Sequence, residues 1–356
     1  MLAARLRRAS SAGPRRAFAD DFEEVGFCEW PSNAPLPDGP PPSNAMHMSY
    51  GNNGCVRLAR SRAGGLAVLK RVPLDRGPSA RREVDALLAL AGQSNIVIML
   101  QHDFDRLSGV ATLALQHAAG GNVGQWLRKH GPVRCGEVKL VAGHLLCALA
   151  HCHEVGFCHR DVSIDNLLIS QNGARLLLAD FGAAVPLNPP RARTLAVCAL
   201  WNRPPELIEE VLRPAGGGEW YDGAAVDCWA AGCVIVQVAR GGLALLRGAH
   251  EKDQLVLIRA LRLDDDALFE GAPRCERHAL ARRGYGSSGD AASLVRCLRG
   301  LLRLDAARRA TAAEALAEAW FADNPKPCCL RGFGIEGTAK GLGGDTGDPG
   351  LWHDGA

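Results

Sequence analysis

One stretch constrains this chain more than any other: "CHRDVSIDNLLISQNGARLLLADFG", residues 158–182, in which two apolar runs meet at an Asn-Gly pair. Leu167 to Ser170 and Ala174 to Ala179 are predicted strands around Asn172-Gly173, the strongest short hairpin signal. A two-residue turn there sets Asn166 opposite Ala179, with Asp180 one step further along. The Asn166 carboxamide and the Asp180 carboxylate then sit on neighbouring strands, within roughly 5 to 8 Å at the backbone. Oxygen donors so close suit a hard divalent ion such as Mg²⁺, whose octahedral shell is completed by phosphate and water. Asp161, on the loop leading in, is left to meet a second substrate. The stretch reads as a metal clamp beside a base.

A clamp needs a body, and 356 residues are enough for one large domain or two lobes. The runs "CVRLAR" and "LAVLKRV", separated by "SRAGG", have the length and β-branched content of short strands. From about residue 132 the pattern turns mostly helical. Val138, Val141, Ala142, Leu145 and Leu149 recur at a helical period that Cys152 continues. Cys147, His151, Cys152, His153, Cys158 and His159 are all zinc-type ligands, but that period favours core cysteines over a metal site. A small β-rich lobe preceding a larger α-rich one is expected, with the ligand in the cleft between them.

The ends differ in composition. Residues 1–19 carry five arginines and no acid, which matches an organellar transit peptide and equally a basic arm. Prolines crowd residues 31–45, so 1–45 is read as a disordered arm; 322–356, rich in Gly and Asp, is read as a flexible tail. The folded domain is expected at 46–321, with an N-lobe to about 117 and a C-lobe from about 118. A net charge of +3 gives no reason to expect nucleic acid, and no apolar run reaches the roughly 18 to 20 residues of a membrane span. The 13 cysteines, odd in number and without a CxxC pair, suit a reduced compartment.

These residues spell HRD (His159, Arg160, Asp161), Asn166 and DFG (Asp180, Phe181, Gly182), and with them the chain resembles a eukaryotic protein kinase. The other parts follow in order. "SYGNNGCV" resembles the Gly-rich loop through Gly51, Gly54 and Val56, with Ser49 for the first glycine. "LAVLK" places Lys70 on the third strand, and Glu83 in "PSARREVDALLAL" stands where kinases keep the acid that pairs with it. Glu206 in "RPPEL" and Arg309 in "DAARRAT" match the pair closing the activation segment. Asp227 in "VDCWAAG" matches the helix residue that braces the HRD backbone.

The resemblance implies roles. Lys70, held by Glu83, would neutralise the α- and β-phosphates of ATP, and Asn166 and Asp180 would hold Mg²⁺, because phosphoryl transfer relies on positioning and charge. Asp161 would take the acceptor hydroxyl's proton. Val56, Val68, Leu115, Gln116 and Ala118 would line the nucleotide pocket, with Gly51 and Gly54 letting the loop backbone approach the phosphates. "ALWNRPPEL" and "PSARRE" resemble the TLWYRPPEL and PSTAIRE stretches of cyclin-dependent kinases, which are proline-directed. Thr194 falls where that group is phosphorylated, within reach of Arg160 and Arg82.

Departures accompany the matches. Ser163 stands where Ser/Thr kinases carry a lysine, and Ala199 where they carry a bridging threonine, which implies slower turnover. Val68 narrows the adenine pocket. Arg81 replaces an apolar cyclin contact, and Asn52 and Asn53 remove the inhibitory phosphosites of the Gly-rich loop. The expectation is thus an α+β bilobal protein kinase fold, a small β-rich N-lobe with one key helix and a larger α-helical C-lobe. Its function is expected to be that of a proline-directed Ser/Thr kinase using ATP and Mg²⁺. The alternative is a kinase-shaped scaffold that works by binding partners. Protein substrates and a cyclin or cyclin-like activator are the expected partners, with no nucleic acid or membrane. The expected location is nuclear or cytoplasmic, or organellar if the Arg-rich start is a transit peptide.

Overall fold

The computed structural model describes residues 21–27, 55–62, 64–131, 133–187, 197–213, 221–261 and 288–322. Five antiparallel strands form the first lobe: β1 (Phe22–Phe27), β2 (Cys55–Ser61), β3 (Leu66–Pro73), β4 (Met99–Asp105) and β5 (Val110–Gln116), in the order β1-β2-β3-β5-β4. In β3, Ala67, Val68, Leu69 and Lys70 are all buried, as expected of a central strand covered on both faces. Helix α1 (Ser79–Ala89) lies against the sheet and buries Ala80, Glu83, Val84 and Leu87, one face of a 3.6-residue period. A carboxylate on an apolar face has to be paired, so Glu83 already announces a partner.

Strand β1 corrects the reading of residues 1–45 as a disordered arm. It is the sheet's edge strand, running antiparallel to β2 from Phe22 opposite Ser61 to Phe27 opposite Arg57. Phe22 packs on buried Ala59, Leu69 and Ala114, and Glu24 forms ion pairs with Arg57 and Arg71. Two adjacent acids, Glu23 and Glu24, hid the strand; the Glu24 carboxylate serves β2 and β3 rather than solvent alone.

The second lobe is helical. Asn122 caps α2 (Val123–His130) through a reciprocal capping box with Gln125. The long helix α3 (Cys135–Val155) buries Val138, Val141, Ala142, Leu145, Leu149 and Cys152, and ends at Gly156 in the left-handed conformation. By composition α3 is long and apolar enough to cross a membrane, contrary to the sequence reading, yet its apolar face is covered by α5 (Gly223–Ala239), so it is a core helix. Around that core lie α4 (Pro205–Leu212), α6 (Glu251–Ala260), α7 (Ser288–Leu301), α8 (Ala312–Leu316) and α9 (Ala319–Ala322). The zinc-type side chains on and after α3 go to separate partners: Cys152 to the core, His153 to Asp227 and His159 to Ala179.

Between the lobes run the short pairs β6 (Phe157–Cys158) with β9 (Val185–Pro186), and β7 (Leu167–Ile169) with β8 (Leu176–Leu178). Leu167 faces Leu178, so Asn166 faces Ala179, whose N–H donates to the Asn166 carbonyl at 2.9 Å. That register is the expected one, but the turn is not the two-residue kind. Ser170 N–H donates to Arg175 O and Gly173 N–H to Ser170 O, which closes a four-residue loop. A type I′ turn needs φ > 0 at both central residues. Here only Gly173 adopts it, at φ 65°, while Asn172 uses its side-chain oxygen to accept from Ala174 N–H. Both loops are symmetric about the same point, so the register survives.

Candidate active site

The third strand and the first helix place one ammonium among carboxylates. Lys70 Nζ donates to Glu83 Oε2 at 2.7 Å, to Glu83 Oε1 at 3.0 Å and to Asp180 Oδ1 at 2.8 Å. Burial works to strip the Lys70 proton, but the charges of Asp180 and Glu83 outweigh it and hold the ammonium above its ordinary range. Burial pushes the Glu83 carboxyl up and Lys70 pulls it back. Two carboxylates around one cation keep Lys70 charged, and fully enclosed Glu83 bears the desolvation.

Asp180 sits at φ 62°, ψ 71°, a left-handed conformation unusual for a residue with a side chain. The turn sends Phe181 into the core, edge-on to the His159 ring at 4.7 Å. His159 has a defined tautomer. Its Nε2 lies 3.0 Å from the Ala179 carbonyl, which can only accept, and its Nδ1 accepts from Asp161 N–H at 3.2 Å. Asp227, capping nothing on its own helix, accepts from His159 N–H and Arg160 N–H, both at 2.7 Å, and from His153 Nε2 at 3.0 Å. These bonds hold Arg160 at φ 65°, so the strained backbone that presents Asp161 is over-determined.

Asn166 is fixed by its own amide: Nδ2 donates to Asp161 O at 2.8 Å and to Asp161 Oδ2 at 3.1 Å. Its carbonyl oxygen is therefore turned from Asp161. Burial holds the Asp161 carboxyl above its ordinary range; the His159 ring opposes this and Asp180 adds to it. Ser163 Oγ accepts from Asn166 N–H at 3.3 Å, a use that a lysine would not serve.

Val68 is buried in the sheet opposite Leu115, with Gln116 and Ala118 continuing from that strand into the second lobe. Val56 lies half-buried opposite Lys70 on β2. The predicted pair Glu206–Arg309 is present and two-pronged, at 2.7 and 3.0 Å. Gly51, Gly54 and Thr194 lie outside the described residues. Arg160 is buried, its Nε bonded to Ala183 O and one terminal nitrogen to the Tyr221 hydroxyl. Burial and the Arg160 charge lower the Arg82 pKa, which places the two predicted cations near each other.

Two features escaped sequence reasoning. Tyr221 as a holder of Arg160 has no motif to mark it. Cys198 adopts φ 61°, and Arg203 donates to its carbonyl at 3.0 Å and to that of Val197 at 3.2 Å. A cysteine gives no sign of a left-handed backbone; only the arginine five residues on could have hinted at its partner.

Comparison with known proteins agrees with this geometry. The family model for the protein kinase domain matches residues 44–321. The mitosis inducer protein kinase cdr1 of Schizosaccharomyces pombe is 32% identical over 196 residues, covering 53% of this chain and 30% of that protein. Cyclin-dependent kinase 11.1 of Caenorhabditis elegans is 29% identical, covering 74% of this chain and 38% of that protein. For cyclin-dependent kinase 9-B of Xenopus laevis the identity is 28%, with 80% of this chain and 81% of that protein covered. The chain thus spans well under half the length of the first two relatives. A solved chain of the CAK complex of Chaetomium thermophilum bound to ATP-gamma-S superposes with a TM-score of 0.63 at 28% identity, covering 78% of this chain and 90% of that one. Matched across most of its length, and carrying the paired residues in the same order in space, this chain belongs to the protein kinase family and has cyclin-dependent kinases among its relatives.

Proposed function

We propose that the chain transfers the γ-phosphate of ATP to Ser or Thr hydroxyls of protein substrates that carry proline after the acceptor. The observation that carries this reading is the charge cluster in which Lys70 is held by Glu83 and Asp180 while Asn166 is locked onto Asp161. On this reading Lys70 meets the nucleotide phosphates, and Asp161 orients the acceptor hydroxyl and takes its proton. Val56, Val68, Leu115, Gln116 and Ala118 form the wall that an adenine would meet. The oxygen donors of Asn166 and Asp180 fit Mg²⁺, a hard ion, better than any soft metal. When bound, that ion supplies charge neutralisation and in-line alignment of the phosphates.

Proline preference is supported by the backbone at Cys198. The segment rests on the catalytic loop, with Cys198 Sγ on Arg160 O and Asn202 Nδ2 on Val162 O. The Val197 and Cys198 carbonyls are both taken by Arg203, so neither is offered to the N–H of an incoming peptide. A residue with an N–H would lose a hydrogen bond there; proline has none to lose.

A cyclin-like activator is carried by family likeness. Arg81, on the exposed side of α1, pairs with Asp85 and lies over the Phe104 ring, so a partner here meets a guanidinium rather than an apolar side chain. The scaffold alternative is not favoured, since the charge cluster is assembled and cyclin-dependent kinases are among the relatives. The test is radiolabel transfer from ATP to a peptide library with fixed Ser or Thr, with and without candidate cyclins, using Asp161→Asn as the blank. Transfer with proline enriched after the acceptor is expected. No transfer above the blank with any partner would overturn the reading.

A further inference from the structure

Cys135, Cys152, Cys158, Cys198, Cys228, Cys233 and Cys297 are buried, whereas Cys147 is only partly so. Burial pushes the thiols of Cys228, Cys233 and Cys297 up to about 12, which makes them inert. Cys147 differs in its neighbours too. It shares a face of α3 with His151 one turn on, and the connection from α1 to β4 lays Ser94 against both. His151 Nδ1 is 3.2 Å from the Ser94 carbonyl, which can only accept, so Nδ1 carries the ring proton. His151 Nε2 is then the basic nitrogen, and it lies 4.0 Å from Cys147 Sγ; Ser94 Oγ is 3.9 Å from the same sulfur. An oriented imidazole whose free nitrogen faces a thiol is the arrangement that activates a nucleophile. None of these residues takes part in the proposed phosphoryl transfer.

The position of the cluster gives it consequence. Ser94 leads into Asn95, which is held at φ 61°, and into three hydrogen bonds to the β8 strand. Leu178 N–H donates to Asn95 O at 2.8 Å, Val97 N–H to Leu178 O at 3.0 Å, and Asn95 Nδ2 to Leu176 O at 2.9 Å. Leu178 stands two residues before Asp180, and the other end of the connection is α1, which carries Glu83. A group attached to Cys147 Sγ lies beside Ser94, at the start of this ladder.

We propose that Cys147, with His151 as its base and Ser94 beside it, is a thiol-modification site for low-molecular-weight disulfides, and that the adduct loosens the Asn95–Leu178 ladder. The Sγ proton passes to His151 Nε2 and the thiolate attacks one sulfur of R–S–S–R. A Cys147–S–S–R bond forms as the original S–S bond breaks. The leaving R–S⁻ takes the proton from the imidazolium, so Cys147 is oxidised and the departing thiol is the reduced product.

The test treats the full chain with glutathione disulfide and maps adducts by peptide mass. Cys147 is expected to react about tenfold faster than the buried described cysteines, and His151→Gln to slow it about fivefold. Equal labelling across those cysteines, or a His151→Gln rate equal to the parent's, would overturn the site. Hydrogen exchange at the Val97 and Leu178 amides is expected to rise at least about tenfold in the adduct and to stay unchanged in treated Cys147→Ser. Unchanged exchange in the adduct would overturn the coupling. Neither readout depends on phosphoryl transfer, so failure of the kinase reading and failure of this one are told apart.

Discussion

Lys70 and Asp180, 110 positions apart in sequence, meet through a 2.8 Å ion pair that joins the first lobe to the segment after β8. Glu83 takes the other side of the same ammonium. Lys70→Met should lower kcat/KM by on the order of 10²- to 10³-fold, the usual cost of losing one aligned charge in a water-poor site. It should also change how stability responds to pH. Without the ammonium, burial raises the Glu83 carboxyl further above its unfolded value. A carboxyl raised in the folded state favours folding at low pH, and that stability is lost as pH rises through the folded pKa. The melting temperature of Lys70→Met should therefore fall relative to the parent as pH rises above the ordinary carboxyl range; parallel curves would mean that Glu83 finds another partner.

Arg203 is predicted to set the proline preference without touching the acceptor. Arg203→Ala releases the Val197 and Cys198 carbonyls, and a freed acceptor is worth about 1 kcal/mol to a peptide N–H. The ratio of kcat/KM for proline over alanine after the acceptor should drop about fivefold. Cys198→Gly keeps the left-handed backbone available and should keep the preference. If Arg203→Ala discriminates as the parent does, the specificity lies elsewhere.

How much of this was legible depends on whether a residue's job is local. Asn166, Asp180 and their facing register follow from two apolar runs and a symmetric turn, so even a wrong turn type left the pairing right. Glu83 came from likeness, and its burial on the apolar face of α1 is the local sign that it needs a partner. The Glu206–Arg309 bond, by contrast, came only from likeness, because nothing local ties positions 103 residues apart. Strand β1 was missed because its alternation is broken by two adjacent acids, one of which, Glu24, has its partners Arg57 and Arg71 on β2 and β3. Cys198 was missed because backbone strain is a property of what surrounds a residue, here Arg203 and the catalytic loop.

Ser163 offers a gain-of-function test. Its hydroxyl accepts from Asn166 N–H, but it brings no charge toward the transferred group. Ser163→Lys should raise kcat by about 3- to 10-fold with little change in KM for ATP, since an added cation acts where charge develops. A single-turnover measurement isolates the chemical step. A lowered kcat would show that the hydroxyl's support of Asn166 outweighs the missing cation.

His144 should make the fold acid-sensitive in a window where few carboxylates titrate. It lies on α3, where Nδ1 accepts from Leu176 N–H at 3.3 Å, so the ring must be neutral at that nitrogen. Burial, aided by the Arg175 charge, lowers its pKa from 6.5 to about 4. Above pH 6.5 neither the folded nor the unfolded ring is protonated, and the site costs nothing. As pH falls from 6.5 toward 4 the unfolded chain takes up a proton that the folded one refuses, so stability is lost across that interval. At pH 5 the loss from this group approaches about 2 kcal/mol. Urea unfolding at pH 7 and pH 5 should show His144→Gln, which keeps an acceptor but cannot titrate, losing less stability than the parent. Some slope should remain in the variant, because burial also lowers the His117 pKa. Equal losses in parent and variant would mean that the ring swings out to solvent and titrates as it does in the unfolded chain.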